Sequence, residues 1–524
     1  MPADAVRLSS AGQPIAGWQG YEGDEGSLIG NGDPGTHANR ASGITRRTLL
    51  QRAAGLGVSA ATLSALDLLA LAPTREALAA RRRLPEIQYA IEPFIAPAVT
   101  EEGVQVRFGP LYSCFATFTL TRAPTLTDQT ALEGALASIE SSYPFSAEGV
   151  MMTLAYGMPY LQRLPAALVE AHMPRLRDEP QRPAFEEAIP SPTDVSPSNP
   201  EVQKERFNVP VQIERNELVL VLRSDSSQII DEVLAWLLGE ASTLGGATVG
   251  SSPVAELLSA TSRRLAFTQI GLPRLVAEEQ TLPYASYINT RSPMWMGFAS
   301  QQTGTSGPPE ITTFLGDSSA RLTNARHGNY LAHASVMHLS HVILDLEQFY
   351  EYPQETYVRR VAEMFSADPP PRYGNTDQFT DGGGPAYIAN VFSSPLQAQR
   401  EAEGSSNFDG QRRASHTTAL QRTSRASDRV PLHIRADAPG FDSLDVPEGL
   451  PPQPKLHFAI FVPTADFFAR MRAAQAATDL AQRYGIPQQN LGIERFMTTT
   501  RRQNFLVPPR RRRAFPLLER ALRA

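Results

Sequence analysis

The order of strand-like and helix-like segments is the feature of this sequence that most constrains its fold. Residues 105–120 alternate in polarity and are rich in β-branched and aromatic side chains, which predicts a strand. Residues 128–143 then repeat apolar positions at helical spacing, with Thr127 as the expected N-cap. By the same criteria two further strands and a helix follow, at 149–157, 217–225 and 226–240. The first half of the chain therefore carries strand–helix units, in the order strand, helix, strand, strand, helix.

The second half repeats this order. A strand, a helix, a strand and a long helix are predicted at 333–346, 353–365, 455–463 and 464–484. This order is typical of a ferredoxin-like module, in which helices cover one face of an antiparallel sheet. We therefore predict a duplicated ferredoxin-like α+β fold of the dimeric α/β-barrel type, with antiparallel sheets and helices on the outer faces. Its domains are expected at 84–270 and 271–524, and the Pro-, Gly-, Ser- and Asp-rich stretch 367–411 is expected to be a flexible insertion.

Cysteine and charge content exclude several classes of protein. The chain of 524 residues contains one cysteine, Cys114, so it has neither an intramolecular disulfide framework nor a cysteine-based metal cage. Its net charge of −6, with 19 % charged residues, provides no basic field for non-specific binding of nucleic acid. The sequence also lacks a P-loop, a dinucleotide-binding glycine motif, a His-Glu-x-x-His zinc motif and a Gly-x-Ser-x-Gly elbow.

The N-terminal region has the order of a twin-arginine export signal. Arg46 and Arg47 precede a stretch rich in Ala, Leu and Gly at 51–71, and small residues suited to a signal peptidase follow. We predict a signal at 40–79 behind a disordered leader at 1–39, with the twin-arginine translocase as partner and a periplasmic or extracytoplasmic location. An uncleaved signal that tethers the protein to the membrane stays open. Because this route carries folded proteins, a cofactor inserted before export should be sought.

Histidines are the informative candidates for chemistry. His333, His338 and His341 fall on one predicted strand, where the first and third would share a face and the second would point to the other. One strand cannot direct all three at a single ion, so half-buried histidines hydrogen-bonded within a sheet are expected. His416 and His433 form a second group, in a stretch rich in arginine.

The second group resembles part of a known family. The segments SHTTAL at 415–420 and IRADAP at 434–439 resemble those that hold the proximal histidine and the distal arginine of dye-decolourising haem peroxidases, the deferrochelatase/peroxidase superfamily. Their separation is about that found in the family. In the same order, the segment at 296–301 resembles the start of the family's Gly-x-x-Asp-Gly signature, and 504–509 resembles its terminal strand. The chain thus looks like a divergent, twin-arginine-exported relative.

The resemblance implies a haem b site. His416 would be the axial ligand of the iron, with His433 as the alternative, and Arg435 would be the distal cation that acts on the peroxide. The family's proton-shuttling carboxylate is replaced here by Ser300, which would line the distal side as a weak hydrogen-bonding group. The arginine run at 510–513 is expected to be solvated, with haem propionates or acidic lipid as alternative partners.

Three functions stay open on these residues. The first is oxidation of an unknown electron donor by hydrogen peroxide, which makes peroxide and a reductant the expected partners, alongside a homo-oligomeric state. The second is an exported haem-binding or haem-processing protein without peroxidase turnover, which the absent carboxylate at position 300 favours. The third is a haem-free binding module on the same scaffold.

Overall fold

The protein has a mixed α+β structure in which antiparallel strands predominate. The computed structural model describes residues 84–101, 103–302, 307–317, 321–351, 387–390, 395–405, 410–416, 422–426 and 430–522. The predicted leader, the signal with Arg46 and Arg47, and the helix predicted at 353–365 lie outside these residues. None of the helices in the described ranges combines the length and hydropathy of a membrane-spanning segment.

The described residues form sixteen strands. In chain order these are β1 (Val99–Glu101), β2 (Val104–Val106), β3 (Tyr112–Leu120), β4 (Met151–Gly157), β5 (Gln212–Ile213), β6 (Leu218–Ser224), β7 (Thr243–Leu244), β8 (Ala247–Thr248), β9 (Leu258–Phe267), β10 (Ala299–Gln302), β11 (Ser335–Leu344), β12 (Tyr387–Asn390), β13 (Ile434–Arg435), β14 (Ala438–Asp442), β15 (Gln453–Val462) and β16 (Met497–Val507).

Ten α-helices accompany them in the same ranges. They are α1 (Leu126–Ser142), α2 (Met158–Leu161), α3 (Ala166–His172), α4 (Ser227–Leu237), α5 (Leu272–Glu279), α6 (Leu346–Tyr350), α7 (Pro395–Glu403), α8 (Ala465–Ala476), α9 (Thr478–Tyr484) and α10 (Leu518–Ala521). Short 3-10 helices occur at Glu92–Phe94, Ala285–Tyr287, Gln488–Asn490, Glu494–Phe496 and Arg510–Arg512.

One ten-stranded sheet organises the molecule. Its order is β13-β15-β11-β16-β4-β6-β3-β9, with β14 also paired to β15 and β5 to β16. The first half of the chain thus supplies β4-β6-β3-β9, and the second half supplies β13-β15-β11-β16. A short antiparallel ladder between β16 and β4, with Phe505 opposite Gly157, joins the two sets. The sheet is therefore continuous across both halves of the chain.

The two ends of the sheet approach each other where β14 lies beside β9. Gly440 of β14 lies tightly against its neighbours, because a Cβ atom there would lie 3.1 Å from the Leu265 carbonyl oxygen of β9 and 2.4 Å from Nε2 of His457. Between the two sets of strands lies an inner core in which Phe115 and Val221 pack in the same cluster as Leu339. The outer faces carry helices, including α1, α4 and α8. Each central strand is consequently buried on both faces.

The C-terminal segment fastens the first half of the chain. Arg513, which is 3 % exposed, forms ion pairs with Glu133 and Glu140 of α1, and Arg510 also pairs with Glu140. The Tyr156 hydroxyl donates to the Arg513 carbonyl at 2.6 Å. The prediction of a solvated arginine run is therefore wrong for Arg510 and Arg513, because acidic side chains of a sequence-distant helix pair with them.

Most predicted strands are confirmed, but three predicted elements differ in detail. The strand predicted at 105–120 is split into β2 and β3, since Gly109 and Pro110 interrupt the ladder. The helix predicted at 464–484 is broken at Ala477, whose φ of +50° is left-handed. The insertion predicted at 367–411 contains strand β12 and helix α7 among its described residues, so those parts are ordered elements rather than flexible loop.

Helix α1 begins two residues earlier than predicted, and Thr125 rather than Thr127 caps it. The Thr125 hydroxyl accepts the Asp128 N–H at 3.3 Å, and the Asp128 carboxylate accepts the Thr125 N–H at 2.7 Å. This reciprocal pair is a capping box, which requires a spacing of three residues. The Thr-x-x-Asp spacing was present in the sequence and identifies the correct cap.

We expect Thr125→Ala to lower the free energy of unfolding by about 1 kcal/mol, because it removes the acceptor of an N-cap hydrogen bond. Urea denaturation of the purified chain measures this change. Thr127→Ala is the matched control, since Thr127 is exposed and is not the cap, and it should leave the unfolding midpoint nearly unchanged. Equal effects of the two substitutions would contradict the assignment of the cap.

Candidate functional site

A cavity of about 360 Å³ lies on the outer face of the second-half strands. Its volume is within the range of pockets that hold cofactors and drug-sized ligands. Strands β11, β15 and β16 form its floor, helix α8 forms one wall, and the segment before β10 forms another. The floor and wall residues include Ser340, Val342, Leu344, Leu456, Phe458, Ile460, Met497, Thr499, Phe468, Met471, Trp295, Met296 and Phe298. Most of these side chains are apolar, so the floor and these two walls of the cavity are largely apolar.

His416 lines this cavity on a tightly held loop. The preceding Ala414 N–H donates to the Asn490 carbonyl at 3.0 Å, and the Ser415 N–H donates to the Glu401 carboxyl group at 3.1 Å. Burial raises the pKa of Glu401 to about 8. The hydrogen bonds on these two residues fix the backbone that immediately precedes His416.

Gly492 packs directly against the backbone of His416. Its φ is +51°, and a Cβ atom there would lie 3.0 Å from the His416 nitrogen and 3.1 Å from its Cα. Both the left-handed conformation and the close approach favour glycine. The loop that carries His416 therefore depends on the absence of a side chain at position 492.

His416 provides an uncharged nitrogen donor. Burial lowers the pKa of its imidazole to about 4. The negative charge of Glu494 opposes this shift, and the positive charges of Arg435 and Arg472 add to it. Its Nδ1 atom is buried without a hydrogen-bond partner among the described residues. The His416 residue is partly exposed, and it lines the cavity. At neutral pH this imidazole is neutral, which is the form that coordinates a metal.

His433 lines the same cavity and is a second donor of the same kind. It is 0 % exposed, and neither ring nitrogen has a hydrogen-bond partner within the described residues. Burial, followed by the charge of Arg435, lowers its pKa to about 3, against an opposing effect of the Ser424 carbonyl. That carbonyl already accepts the Leu432 N–H at 3.1 Å. The structure therefore brings both candidate ligands to one cavity.

Arg435 lies on β13, opposite Ile460 of β15, and its side chain also lines the cavity. In addition to burial, its positive charge lowers the pKa of both His416 and His433. Asp437 follows two residues later and is the one acidic residue among the described cavity-lining residues. The cavity thus combines neutral imidazoles, a guanidinium and a carboxylate.

Ser300 lies on β10, where it pairs in parallel with Ile388 of β12. The preceding Phe298 and Ala299 line the cavity, so this segment of the chain reaches it. Gly297, at the start of the signature-like segment, has a left-handed φ of +78°.

Arg223 introduces a positive charge that no acidic group in the described residues neutralises. It lines the cavity, and its guanidinium donates to the Ser113 hydroxyl at 3.1 Å. Burial lowers its pKa to about 10. By contrast, Arg502 and Arg472, which also line the cavity, are paired with Asp194 and Glu494. A partly buried cation without an acidic partner favours a ligand that carries a negative charge.

The sequence did not identify Arg223, Arg472, Arg502 or Asp437 as cavity residues. A signal existed for Arg502, which stands with Arg501 inside an otherwise β-forming stretch, and for Asp437, which follows Arg435 by two positions. Arg223 and Arg472 have no such signal, because strands and helices far apart in sequence bring them to the cavity.

The histidines of the first group are placed differently from one another. His333 precedes β11 instead of belonging to it, so the prediction that it shares a strand face with His341 is wrong. His338 is fully rather than half buried. Its ring nitrogens form hydrogen bonds with Asn504 at 2.7 Å and with Ser340 at 2.6 Å, and its ring stacks on Phe468. His341 points to the opposite face of the strand, into the inner core.

Sequence comparison assigns the chain to a family. The family model of DUF7405, described as a family of unknown function, matches residues 110–509. The chain belongs to this family. The match includes both sets of strands and every cavity-lining side chain discussed above. No curated protein sequence matches this DUF7405 chain.

Several solved structures are similar to this DUF7405 chain. A dye-decolorizing protein from V. cholerae is 11 % identical over 76 % of this chain and 94 % of its own, with a TM-score of 0.41. A variant of Rhodococcus jostii DypB in complex with heme is 12 % identical over 77 % and 95 %, with a TM-score of 0.42. A dye-decolorizing peroxidase from Bacteroides thetaiotaomicron is 12 % identical over 82 % and 98 %, with a TM-score of 0.41. Similarity at this level does not assign an activity to the chain.

We expect Gly492→Ala to destabilise the protein by more than Gly485→Ala does. Both positions have positive φ, so an alanine at either costs about 1 kcal/mol or more in backbone strain. Only position 492 adds a collision, with the backbone of His416, whereas nothing lies within 4 Å of a Cβ at 485. Urea unfolding of both variants measures the difference, and equal losses of stability would contradict the close contact.

The buried histidines predict acid sensitivity. His433 is neutral in the folded state down to its pKa of about 3, whereas in the unfolded chain it takes up a proton below about pH 6.5. Above about pH 6.5 this histidine therefore does not destabilise the folded state. As the pH falls towards 3, the free energy of unfolding decreases by up to about 1.4 kcal/mol per pH unit. In His433→Gln the unfolding free energy should fall less steeply over this window. His327→Gln, at an exposed position, should retain the wild-type slope.

Proposed function

We propose that this chain binds haem b in the cavity and uses it to oxidise an electron donor with hydrogen peroxide. The observation that carries the proposal is the donor set: a neutral imidazole with an unpaired ring nitrogen lines an apolar cavity beside a guanidinium. The resemblance of the segments around His416 and Arg435 to those of dye-decolourising haem peroxidases supports the same site.

The residues of the cavity fit haem b on three counts. His416, or His433 as the alternative, offers the nitrogen that an iron porphyrin takes as axial ligand. Apolar side chains such as Met471, Phe458 and Leu344 suit the porphyrin faces. Arg223, a partly buried cation without an acidic partner in the described residues, suits a haem propionate. An apolar, planar ligand with carboxylate groups therefore satisfies Arg223 and one of the two unpaired imidazoles in the cavity.

The chain's own residues would divide the work as follows. His416 would hold the iron. Burial raises the pKa of Glu494, but Arg472 and Lys204 outweigh burial and lower that pKa to about 2, so Glu494 is negatively charged. This charge would favour electron donation by the His416 imidazole. Haem bound here would supply the redox-active iron that peroxide oxidises. Arg435 would stabilise the negative charge that develops on the leaving oxygen.

Asp437 is the residue best placed to move a proton. Peroxide cleavage requires a proton to pass from one oxygen to the other, and Ser300 has no carboxyl group to carry it. Asp437 lines the cavity two residues from Arg435 and is the sole acidic residue among the described lining residues. We propose that it holds this proton in place of a carboxylate at position 300.

A second candidate function is haem binding without peroxidase turnover. It is favoured by Ser300, which stands where the resembled family has its proton-shuttling carboxylate. The two candidates share the haem site and differ in the reaction with peroxide, so one set of variants tests both.

Purified full-length chain supplied with haem should show a Soret absorption band. We expect His416→Ala to lose the band, whereas His433→Ala and the surface control His327→Ala should keep it. Loss in His433→Ala alone would move the axial ligand to His433. A folded wild-type chain that stays colourless would contradict haem binding and leave only a haem-free function of the cavity.

With haem bound, peroxide-dependent oxidation of a dye separates turnover from simple haem binding. Arg435→Leu should reduce the rate by about 100-fold or more at unchanged haem content, because it removes the charge that stabilises the leaving oxygen. Asp437→Asn should reduce it by at least about 100-fold, as expected for loss of a general acid or base. Rates unaffected by either substitution would exclude these roles, and no oxidation in the wild type would favour haem binding alone.

We also propose that the two sets of strands are copies of one ferredoxin-like unit. In each set the first strand lies inside, between the third and the fourth, and the second lies at the end: β4-β6-β3-β9 in one, and β14-β15-β11-β16 in the other. Helices α1 and α4 follow β3 and β6, and α8 follows β15. The export of a folded, cofactor-loaded protein by the twin-arginine translocase is a further proposal, which rests on Arg46 and Arg47.

A further inference from the structure

A second group of ligating side chains lies on the face of the sheet opposite the cavity. Ser340 and Val342 of β11 line the cavity, whereas His341 between them points to the inner face, since successive side chains of a strand alternate. There it stands beside His457, its register partner on β15. Both imidazoles are 0 % exposed, and their rings stack with centroids 5.0 Å apart.

Asp442, at the end of β14, brings a carboxylate to the same two rings. Its Oδ1 lies 3.7 Å from His341 Nε2, and its Oδ2 lies 3.4 Å from His457 Nε2. One ligand atom from each of the three residues can be chosen so that all lie within 4.8 Å of one another. Three neighbouring strands, β14, β15 and β11, thus contribute one ligand each.

The hydrogen bonds within this group leave a nitrogen lone pair unused. His341 Nε2 can donate to the Leu444 carbonyl oxygen at 3.3 Å. The Nδ1 atoms of His341 and His457 face each other at 3.2 Å and can share at most one hydrogen. His457 Nε2 is buried and has no hydrogen-bond partner in the part of the chain that the structure describes, since its contact with Asp442 lacks hydrogen-bond geometry. A buried polar atom without a partner is unusual in a native protein and indicates that something else satisfies it.

We propose that His341, His457 and Asp442 bind one divalent transition-metal ion, for which zinc is the best match. Two imidazoles and one carboxylate form a common ligand set for zinc, with bonds of about 2.0–2.2 Å. Such bonds hold the ligand atoms of a tetrahedral site about 3.4 Å apart, so on binding the three side chains would close separations of up to 4.8 Å by up to about 1.4 Å. The ion would fasten β14 to β15 and β11, where Gly440 brings β14 against β9.

The surroundings set the route and the strength of binding. The Asp442 side chain is 29 % exposed, so an ion would enter from its side. Lys455 competes for the same carboxylate, with its Nζ 3.7 Å from Asp442 Oδ1, while it also donates to the Leu444 carbonyl at 2.7 Å. Arg264 of β9 adds positive charge nearby, partly neutralised by Glu214. Lys455 therefore weakens the site, and its removal should strengthen it.

Zinc titration of the full-length, haem-free chain, stripped of metal with a chelator, tests the site. We expect one zinc ion per chain by calorimetry, with a rise in melting temperature that magnesium does not give, and an absorption spectrum typical of nitrogen and oxygen ligands with cobalt(II). Asp442→Asn and His457→Gln should each weaken zinc binding by about tenfold or more. Lys455→Met should tighten it by about tenfold, because the competing cation is gone.

Two controls make the outcome decisive. His327→Ala combined with His333→Ala removes a pair of histidines near the surface, whose rings lie 6.3 Å apart, and should leave the zinc affinity unchanged. If His457→Gln does not fold, the partly exposed Asp442 and the opposite effect of Lys455→Met still test the site. Absence of stoichiometric zinc binding to folded protein, or binding insensitive to both Asp442→Asn and Lys455→Met, would overturn the proposal. Haem content does not enter any of these readouts.

Discussion

The antiparallel pairing of β11 with β15 is the constraint on which both sites depend. It runs in one register from Val336 opposite Val462 to Ile343 opposite Lys455. Because side chains alternate between the two faces, the register sends Ser340 to the cavity and His341 to the inner core. A slip of one residue would exchange the two faces, so the sites are built or lost together. The inner core then fixes this register through Leu339 and its apolar neighbours.

The sequence predicted those parts of the fold that are governed by local patterns. Predicted strands such as 217–225 and 455–463 agree with β6 and β15 to within two residues, because long runs of β-branched and apolar residues leave little choice. The errors occurred where the backbone conformation of a single residue determines where an element ends. Ala477 adopts a left-handed conformation that helical spacing does not reveal, and tertiary packing has to stabilise it. The closure of the sheet beside Gly440 is likewise a long-range effect, invisible to any window along the chain.

The candidate site was predictable to the extent that its residues fall in short segments. His416, His433 and Arg435 came from two such segments, and the structure places all three around one cavity. Arg223 and Asp442 had no local signature. Arg223 matters because no acidic partner lies near it in the described residues. Asp442 matters because its carboxylate lies close to histidines on two other strands. Both properties arise from the assembled sheet, so single-sequence reasoning could not reach them.

The attachment of the C-terminal segment has a consequence for how the chain matures. Arg510 and Arg513 pair with acidic residues of α1, and Tyr156 of β4 is bonded to the backbone at Arg513 and Phe515. These partners are separated by more than 350 positions. On the ribosome, the first half must therefore wait for residues 510–515 before its outer layer is complete. Contacts between residues so distant in sequence carry a high cost of loop closure, so we expect this attachment to form late in folding.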